Sequence, residues 1–436
     1  MPSPALLSAC LLAVCAVPAT AQTRVDPLGR KLLFVRGADG SGGATEGGTT
    51  AQRTEQLSDV GNAATNNGNH GYGELRQALV ADGFQVAQLV EDPKVPLTLT
   101  ALLPYRVVFL GSNNRAYTAA EVKAFHDYVD AGGSALFVSD ANWGLTWNAA
   151  PASDNQFLAR YGVQVWQDSG QLPVLERKQQ GRYLDLDHAV VSGLDGDGGA
   201  DDVDAYVGEG VSLFRLGQGS DGWQARAQVT ATGLVYRTLD SSGKAGSLQL
   251  ATSADCALWT ATKGDSRLAG HFDRNTWFNL NGAGTDIRKR ANLTLARDLF
   301  RWLASVPGHA TPRGASCPST MSLSVSGAAL GRVWDVGLSG GPVKAPTLLL
   351  LAPGAARALD LGSGCALQCD PLALLTLPAP ATDELGRVKL QLPWPADLGL
   401  SGLTATMQVL AVGTTGPLLG VLSLSSGVEV RLGARQ

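Results

Sequence analysis

Few segments of this chain gather side chains able to do chemistry. Ser139-Asp140-Ala141-Asn142-Trp143, with Trp147 just beyond, offers a hydroxyl, a carboxylate, an amide and two indoles. Indole faces stack on sugar rings and carboxylates bind hydroxyls, so this segment suits a carbohydrate or other polyol. The bland alternative is that Asp140 caps a following helix while the indoles simply pack. His271-Phe272-Asp273 sets an imidazole two residues from a carboxylate. With Asp140 those two would form a catalytic set of acid and base groups if the chain brought them together. Asp187-His188 is a second pair of the same kind, and two His with two Asp would also suit a divalent metal. A hydrogen-bonded structural network is the plain reading of both pairs.

Other polar positions fall in glycine-rich loops. His70 lies in NNGNHGYGEL, where Gly71 and Gly73 permit an unusual backbone path just ahead of a helix. Glu209 sits between two glycines in VGEGVSLF, and Asn113 and Asn114 follow the strand-like run RVVFLGS. The loop LDGDGGADDVDAY places Asp195, Asp197 and Asp201 as candidate Ca²⁺ ligands, since oxygen-rich loops bent at glycine suit that ion. The match to a calcium loop is incomplete: Gly199 fills the fifth position and the terminal Glu is missing. A solvated acidic loop is the simpler reading, and no cofactor is required. RGADGSGGATEGG has neither GxGxxG nor GxxxxGKS, so it reads as a lid or plain loop rather than a phosphate cradle.

The elements that must position these residues alternate. KLLFV (31–35) is a buried-strand run; GELRQALVADG has helical spacing with a stop at Gly83; RVVFLGS is a strand; AAEVKAFHDYVDAGG is a helix; SALFVSDANWG is a strand again. Such alternation predicts βαβ units and a flavodoxin-like, doubly wound, mostly parallel sheet with helices on both faces. The ligand crevice of such a sheet lies beyond the carboxyl ends of the strands, which is where Asn113, Asn114, Ser139 and Asp140 fall. Shorter β-like runs fill 165–260, and ANLTLARDLFRWLAS is an amphipathic helix expected to pack back on the sheet. The composition changes near residue 308: HATPRGASCPST reads as a linker over 308–317. From 318 to 436, short apolar runs separated by Gly and Pro turns predict a small all-β sandwich.

The order YRVVFLGSNN, a helix ending DAGG, SALFVSDAN, DLDHAVVSGL, RLAGHFDRNTWFN and a last helix LARDLFRWLA resembles the class I glutamine amidotransferase-like superfamily, nearest its ThuA-like (trehalose-utilisation) branch, over about residues 30–305. In that superfamily a nucleophilic Cys occupies a tight elbow after the strand that here reads ALFVSDANWG. The matching position is Ser139 or Asp140, and neither is a thiol. A thiolate is what attacks the amide carbon, so the resemblance implies the fold without glutaminase activity. GxSxG is not satisfied either, which leaves Ser139 without the setting of a serine hydrolase. The β tail resembles a C-terminal module of secreted bacterial proteins, implying attachment to the cell surface or to secretion machinery.

The first 21 residues carry an uncharged apolar stretch from Ala5 to Val17 and end Ala19-Thr20-Ala21, which predicts a signal peptide cut before Gln22, although no Lys or Arg precedes the stretch. The expected domains are therefore 1–21, 22–307, the linker and 318–436, with a secreted, periplasmic or cell-surface location and no membrane span. Four cysteines then remain in an oxidising compartment. Cys365 and Cys369 on one strand would stand about 13 Å apart, too far to bridge. Cys317–Cys365 is the first pairing expected, with Cys256 and Cys369 as buried thiols. Thirty-four Lys and Arg against 38 Asp and Glu leave no positive stripe, which argues against nucleic acid as a partner. Two functions of different class follow: a non-catalytic module that binds a small polar ligand such as a saccharide, and a carbohydrate-active hydrolase or isomerase working through Asp140, His271 and Asp273. The first is favoured.

Overall fold

In the computed structural model the described residues are 24–26, 29–36, 59–63, 71–90, 96–110, 117–139, 149–165, 174–176, 182–186, 188–194, 205–208, 213–239, 245–279, 285–317, 320–395 and 400–433. The chain divides into two compact units at Ala304/Ser305.

The apolar runs of the first unit form the strands expected of them. β1 (Lys31–Arg36), β2 (Gln85–Val90), β3 (Val107–Leu110) and β4 (Ser134–Val138) pair in parallel, with β1 between β2 and β3. Between and after them run α1 (Gly73–Ala81), α2 (Leu99–Leu102), α3 (Ala119–Asp130) and α4 (Ala149–Leu158). The sheet grows from β1 to β2 in one direction and from β3 to β4 in the other. Right-handed crossovers in opposite directions lie on opposite faces, so α1 and α3 cover different sides. Accordingly α1 packs against the closing helix α5 (Asn292–Ala304), while α2, α3 and α4 pack against one another. Both faces of β3 and β4 are buried, as continuous apolar strands require.

The later strands widen this sheet. They are β5 (Val163–Val165), β6 (Val174–Glu176), β7 (Ala205–Val207), β8 (Phe214–Leu216), β9 (Ala225–Thr230), β10 (Val235–Leu239), β11 (Ala245–Leu250), β12 (Asp255–Lys263) and β13 (Ser266–His271). The order is β2-β1-β3-β4-β13-β12-β8-β5, with β9 also on β12. β13 continues the parallel set beside β4, and the strands beyond it are antiparallel. β6–β7 and β10–β11 are separate antiparallel ladders. Gly270 lets β12 and β13 close tightly, because a Cβ there would sit 2.0 Å from Trp259 Nε1.

The second unit is wholly β. Its strands are β14 (His309–Arg313), β15 (Ser322–Ser326), β16 (Val333–Ser339), β17 (Thr347–Pro353), β18 (Leu359–Gly362), β19 (Cys365–Leu367), β20 (Leu375–Ala379), β21 (Val388–Pro393), β22 (Thr404–Gly416), β23 (Gly420–Leu424) and β24 (Gly427–Arg431). One sheet runs β14-β24-β22-β17-β20 with β23 beside β22, and a second runs β15-β16-β21. Alternate residues from both point inward: Leu323, Trp334, Val336 and Leu338 meet Leu349, Leu351, Met407 and Val430 in one core, where Trp334 and Trp394 stack at 4.3 Å.

The linker expected over 308–317 is not a linker. Residues 309–313 are strand β14, whose backbone pairs with β24 along its whole length, and Cys317 bridges to Leu424. The segment therefore belongs to the sandwich. Pro312 fits because β14 is an edge strand, where a missing N–H costs no ladder bond. Cys317 and Cys365 form the expected disulfide, with Cα atoms 5.1 Å apart, while Cys256 and Cys369 are free and buried. No helix among the described residues is long and apolar enough to cross a membrane.

Candidate functional site

The carboxyl ends of β4 and β13 meet. Their register sets His271 beside Val138, and the Ser139 N–H donates to the His271 carbonyl at 3.1 Å. The Ser139 hydroxyl donates to Asp154 Oδ2 at 2.6 Å, from a position on α4 fifteen residues along. Both residues are buried. Burial pushes the Asp154 carboxyl up to about 7, against the pull of the Ser139 hydrogen bond. Asp154 was not among the expected site residues. ASDNQF carries no motif, and only the return of α4 to the end of β4 shows what Asp154 faces.

His271 is fully buried among rings. Trp277 stacks on it at 4.8 Å, Phe272 lies at 4.8 Å and Tyr206 at 5.5 Å. Burial drives its imidazole down to about 3, so the ring is neutral at ordinary pH, with a smaller opposing effect from the Asp273 carbonyl. Its Nδ1 lies 2.8 Å from that main-chain oxygen. The Asp273 carboxylate accepts from the Asn275 N–H at 2.8 Å and the Thr276 hydroxyl at 3.2 Å, both in the 3-10 turn Asn275–Trp277 that follows it. In these contacts the imidazole is tied to the Asp273 backbone and the carboxylate is engaged by the turn that follows it. Gly208 is small out of necessity, since a Cβ there would lie 2.7 Å from the Asp273 carboxylate and 2.4 Å from the Phe272 ring.

The segment after β13 also holds the start of α1. Tyr72 donates to the Arg274 carbonyl at 3.2 Å, Asn279 Oδ1 accepts from the Glu74 N–H at 2.9 Å, and the Asn279 N–H donates to the Gly71 carbonyl at 3.0 Å. Asn279 thus pins the chain immediately after position 70 to the segment that carries His271 and Asp273. It too gave no sequence signal, because a capping amide acts through the distant backbone it reaches.

His188 stands elsewhere. Its ring packs at 5.3 Å on Trp302, whose other neighbour is the guanidinium of Arg267 near the start of β13. His188 therefore lies toward the start of β13, whereas His271 stands at its end. Among the described residues, no three His, Cys, Asp or Glu side chains gather into a ligand set. His70, Asn113, Asn114, Asp140, Asn142, Trp143, Asp187, Asp195, Asp197, Asp201 and Glu209 lie outside the described residues.

No family model and no curated protein matches the chain. Among solved structures it is similar to the mmIFT52 N-terminal domain, at a TM-score of 0.36 and 17% identity over 63% of this chain and 97% of that one. It is also similar to the cytoplasmic protein STM3548 from Salmonella typhimurium, at a TM-score of 0.35 and 12% identity over 63% and 98%. These scores are too low to carry a functional reading.

Proposed function

We propose that this is an exported protein whose α/β unit binds a small polar ligand, such as a saccharide, at the carboxyl ends of its parallel strands, the β-sandwich serving for attachment or sorting. The observation that carries the reading is the polar layer at that edge, where Ser139 rests on an Asp154 that holds its proton near neutrality and His271 stays uncharged. Groups of this kind offer hydroxyls both donors and acceptors without a fixed charge. The resemblance to amidotransferase-like proteins points to the same edge, and the serine at position 139 argues against glutaminase chemistry. A disulfide is compatible with an oxidising compartment, which supports export.

Asp154 favours a second reading. A carboxyl poised near 7 has the range of a general acid, so a carbohydrate-active hydrolase or isomerase could use it in the same crevice.

A thermal-shift series tests both, with wild type, Ser139→Ala and Asp140→Ala set against mono- and oligosaccharides, Ca²⁺, Zn²⁺ and EDTA. A sugar-dependent rise lost in either variant supports binding at the strand ends. Turnover of that sugar, abolished in Asp154→Asn, would replace the binding reading with the catalytic one. A midpoint indifferent to every sugar overturns both.

A further inference from the structure

A cavity of about 470 Å³ opens between α1 and the segment that enters α5, a volume within the range of small-molecule sites. Glu74, Gln77 and Ala78 line it from one face of α1, and Ile287, Arg288 and Leu293 line it from the other side. Because α1 follows β1 and residues 287–293 follow β13, the cavity sits at the end of the sheet where the parallel strands finish.

The frame around it is held by hydrogen bonds. The Glu74 N–H donates to Asn279 Oδ1 at 2.9 Å. Opposite, the Ile287 N–H donates to the Phe278 carbonyl at 3.0 Å and the Arg288 N–H to Asp286 Oδ1 at 2.8 Å. Asn292 is buried and ties the same turn down, its amide donating to the carbonyls of Asp286 at 2.8 Å and Thr276 at 3.1 Å. An ion pair joins the two sides: Arg288 Nε donates to Glu74 Oε2 at 2.9 Å, and Nη2 donates to Oε1.

A guanidinium carries five N–H donors, and Glu74 takes two of them. Among the described residues no other group bonds the Arg288 guanidinium, and its side chain is 52% exposed. The Glu74 oxygens keep further lone pairs, and the Gln77 amide adds a donor and an acceptor one turn along. The rim therefore sets donors beside acceptors with their charges cancelled, while Ala78, Ile287 and Leu293 supply an apolar wall. A pyranose or cyclitol ring has the matching surface, with apolar CH faces and hydroxyls that both donate and accept. A phosphate or carboxylate is opposed, because the Glu74 carboxylate already lies against the same guanidinium.

We propose that this cavity binds a neutral polyol ring, its hydroxyls on Arg288, Glu74 and Gln77 and a CH face on Ile287 and Leu293. The class of ligand rests on the binding reading above; the place rests on the cavity and its ion pair.

Titration calorimetry of the full chain tests it, with glucose, cellobiose and inositol as probes. Ala78→Phe fills the cavity with a ring. Arg288→Lys keeps the charge facing Glu74 and removes the spare guanidinium donors, and Gln77→Ala trims an exposed amide. A probe should bind wild type, lose its binding in Ala78→Phe, and weaken about 3–10-fold in each of the other two, the effect of one or two neutral hydrogen bonds. Melting midpoints in plain buffer show which variants are folded, and Gln77→Ala decides the matter if Ala78→Phe is not. A probe that binds all three variants as tightly as wild type overturns the cavity site; if Ser139→Ala weakens that same probe, the binding reading stands without it. Inorganic phosphate held more tightly than any probe overturns the choice of a neutral ligand. Failure of every probe to bind wild type overturns the cavity site and the binding reading together.

Discussion

Two side chains at the end of β4 and β13 titrate in opposite directions. Asp154 holds its proton up to about pH 7, whereas the unfolded chain releases it near 3.8. Its contribution to stability is complete below pH 4 and is lost as pH rises toward 7. His271 ionises only near 3 in the fold but near 6.5 when unfolded, so its contribution is complete above pH 6.5 and is lost as pH falls toward 3. Each is worth roughly 3–5 kcal/mol, because every tenfold change in proton affinity between the folded and unfolded chain carries a fixed free energy. Because the windows overlap, these two contributions oppose one another between pH 4 and 6.5. Asp154→Asn removes the opposing limb of Asp154 itself, so its melting point should rise relative to wild type as pH climbs from 4 to 7 and exceed it above pH 7. A variant profile parallel to wild type across that range would refute the assignment. Asp154 illustrates why the site was only half legible. Ser139 and His271 stand out by residue type at strand ends, but an aspartate inside a helix is one of many until the fold shows what it touches.

At the level of single elements, local signals account for most of what formed. Thr118 and Glu121 build a capping box at the start of α3: the Thr118 hydroxyl accepts from the Glu121 N–H, and the Glu121 carboxylate accepts from the Thr118 N–H at 2.9 Å. The same carboxylate takes the Leu97 N–H at 3.1 Å, tying α3 to the chain ahead of α2. Thr118→Ala should cost about 1 kcal/mol in denaturant unfolding. Glu121→Ala should cost more, since it strands the Leu97 donor as well. The β12–β13 ladder depends on the absence of a side chain at Gly270. Gly270→Ala drives a methyl into the Trp259 indole and should destabilise the first unit by about 1–3 kcal/mol, read from the shift in denaturation midpoint. A β14 strand in place of a linker shows where local reading fails. HATPR has a proline and weak strand propensity, and only pairing with β24, more than a hundred residues away, makes it a strand.

Across the whole molecule, two units carry different kinds of stabilisation. The α/β unit rests on one continuous apolar core, while the sandwich adds a covalent tie between Cys317 and Cys365 that closes a 48-residue interval. Loop-closure entropy puts that tie at about 4 kcal/mol. Replacing both cysteines by alanine should accelerate hydrogen exchange in residues 320–433 and leave β1–β4 unchanged; equal acceleration in both units would contradict a local role. The alternation of apolar runs with helical spacing was sufficient to announce a parallel α/β sheet followed by a β-sandwich, because periodicity and glycine stops are local properties of the chain. Of the cysteines, strand spacing excluded only the Cys365–Cys369 pair; Cys317–Cys365 was the first choice among the pairings that remained, and the fold made it. The antiparallel extension of the sheet, the burial that neutralises His271, and the company of Asp154, Tyr206 and Asn279 were not legible in the sequence. Each depends on contacts between residues from 15 to more than 200 positions apart, and long-range packing, which sets dielectric and hydrogen-bond partners, leaves no periodic trace in the sequence.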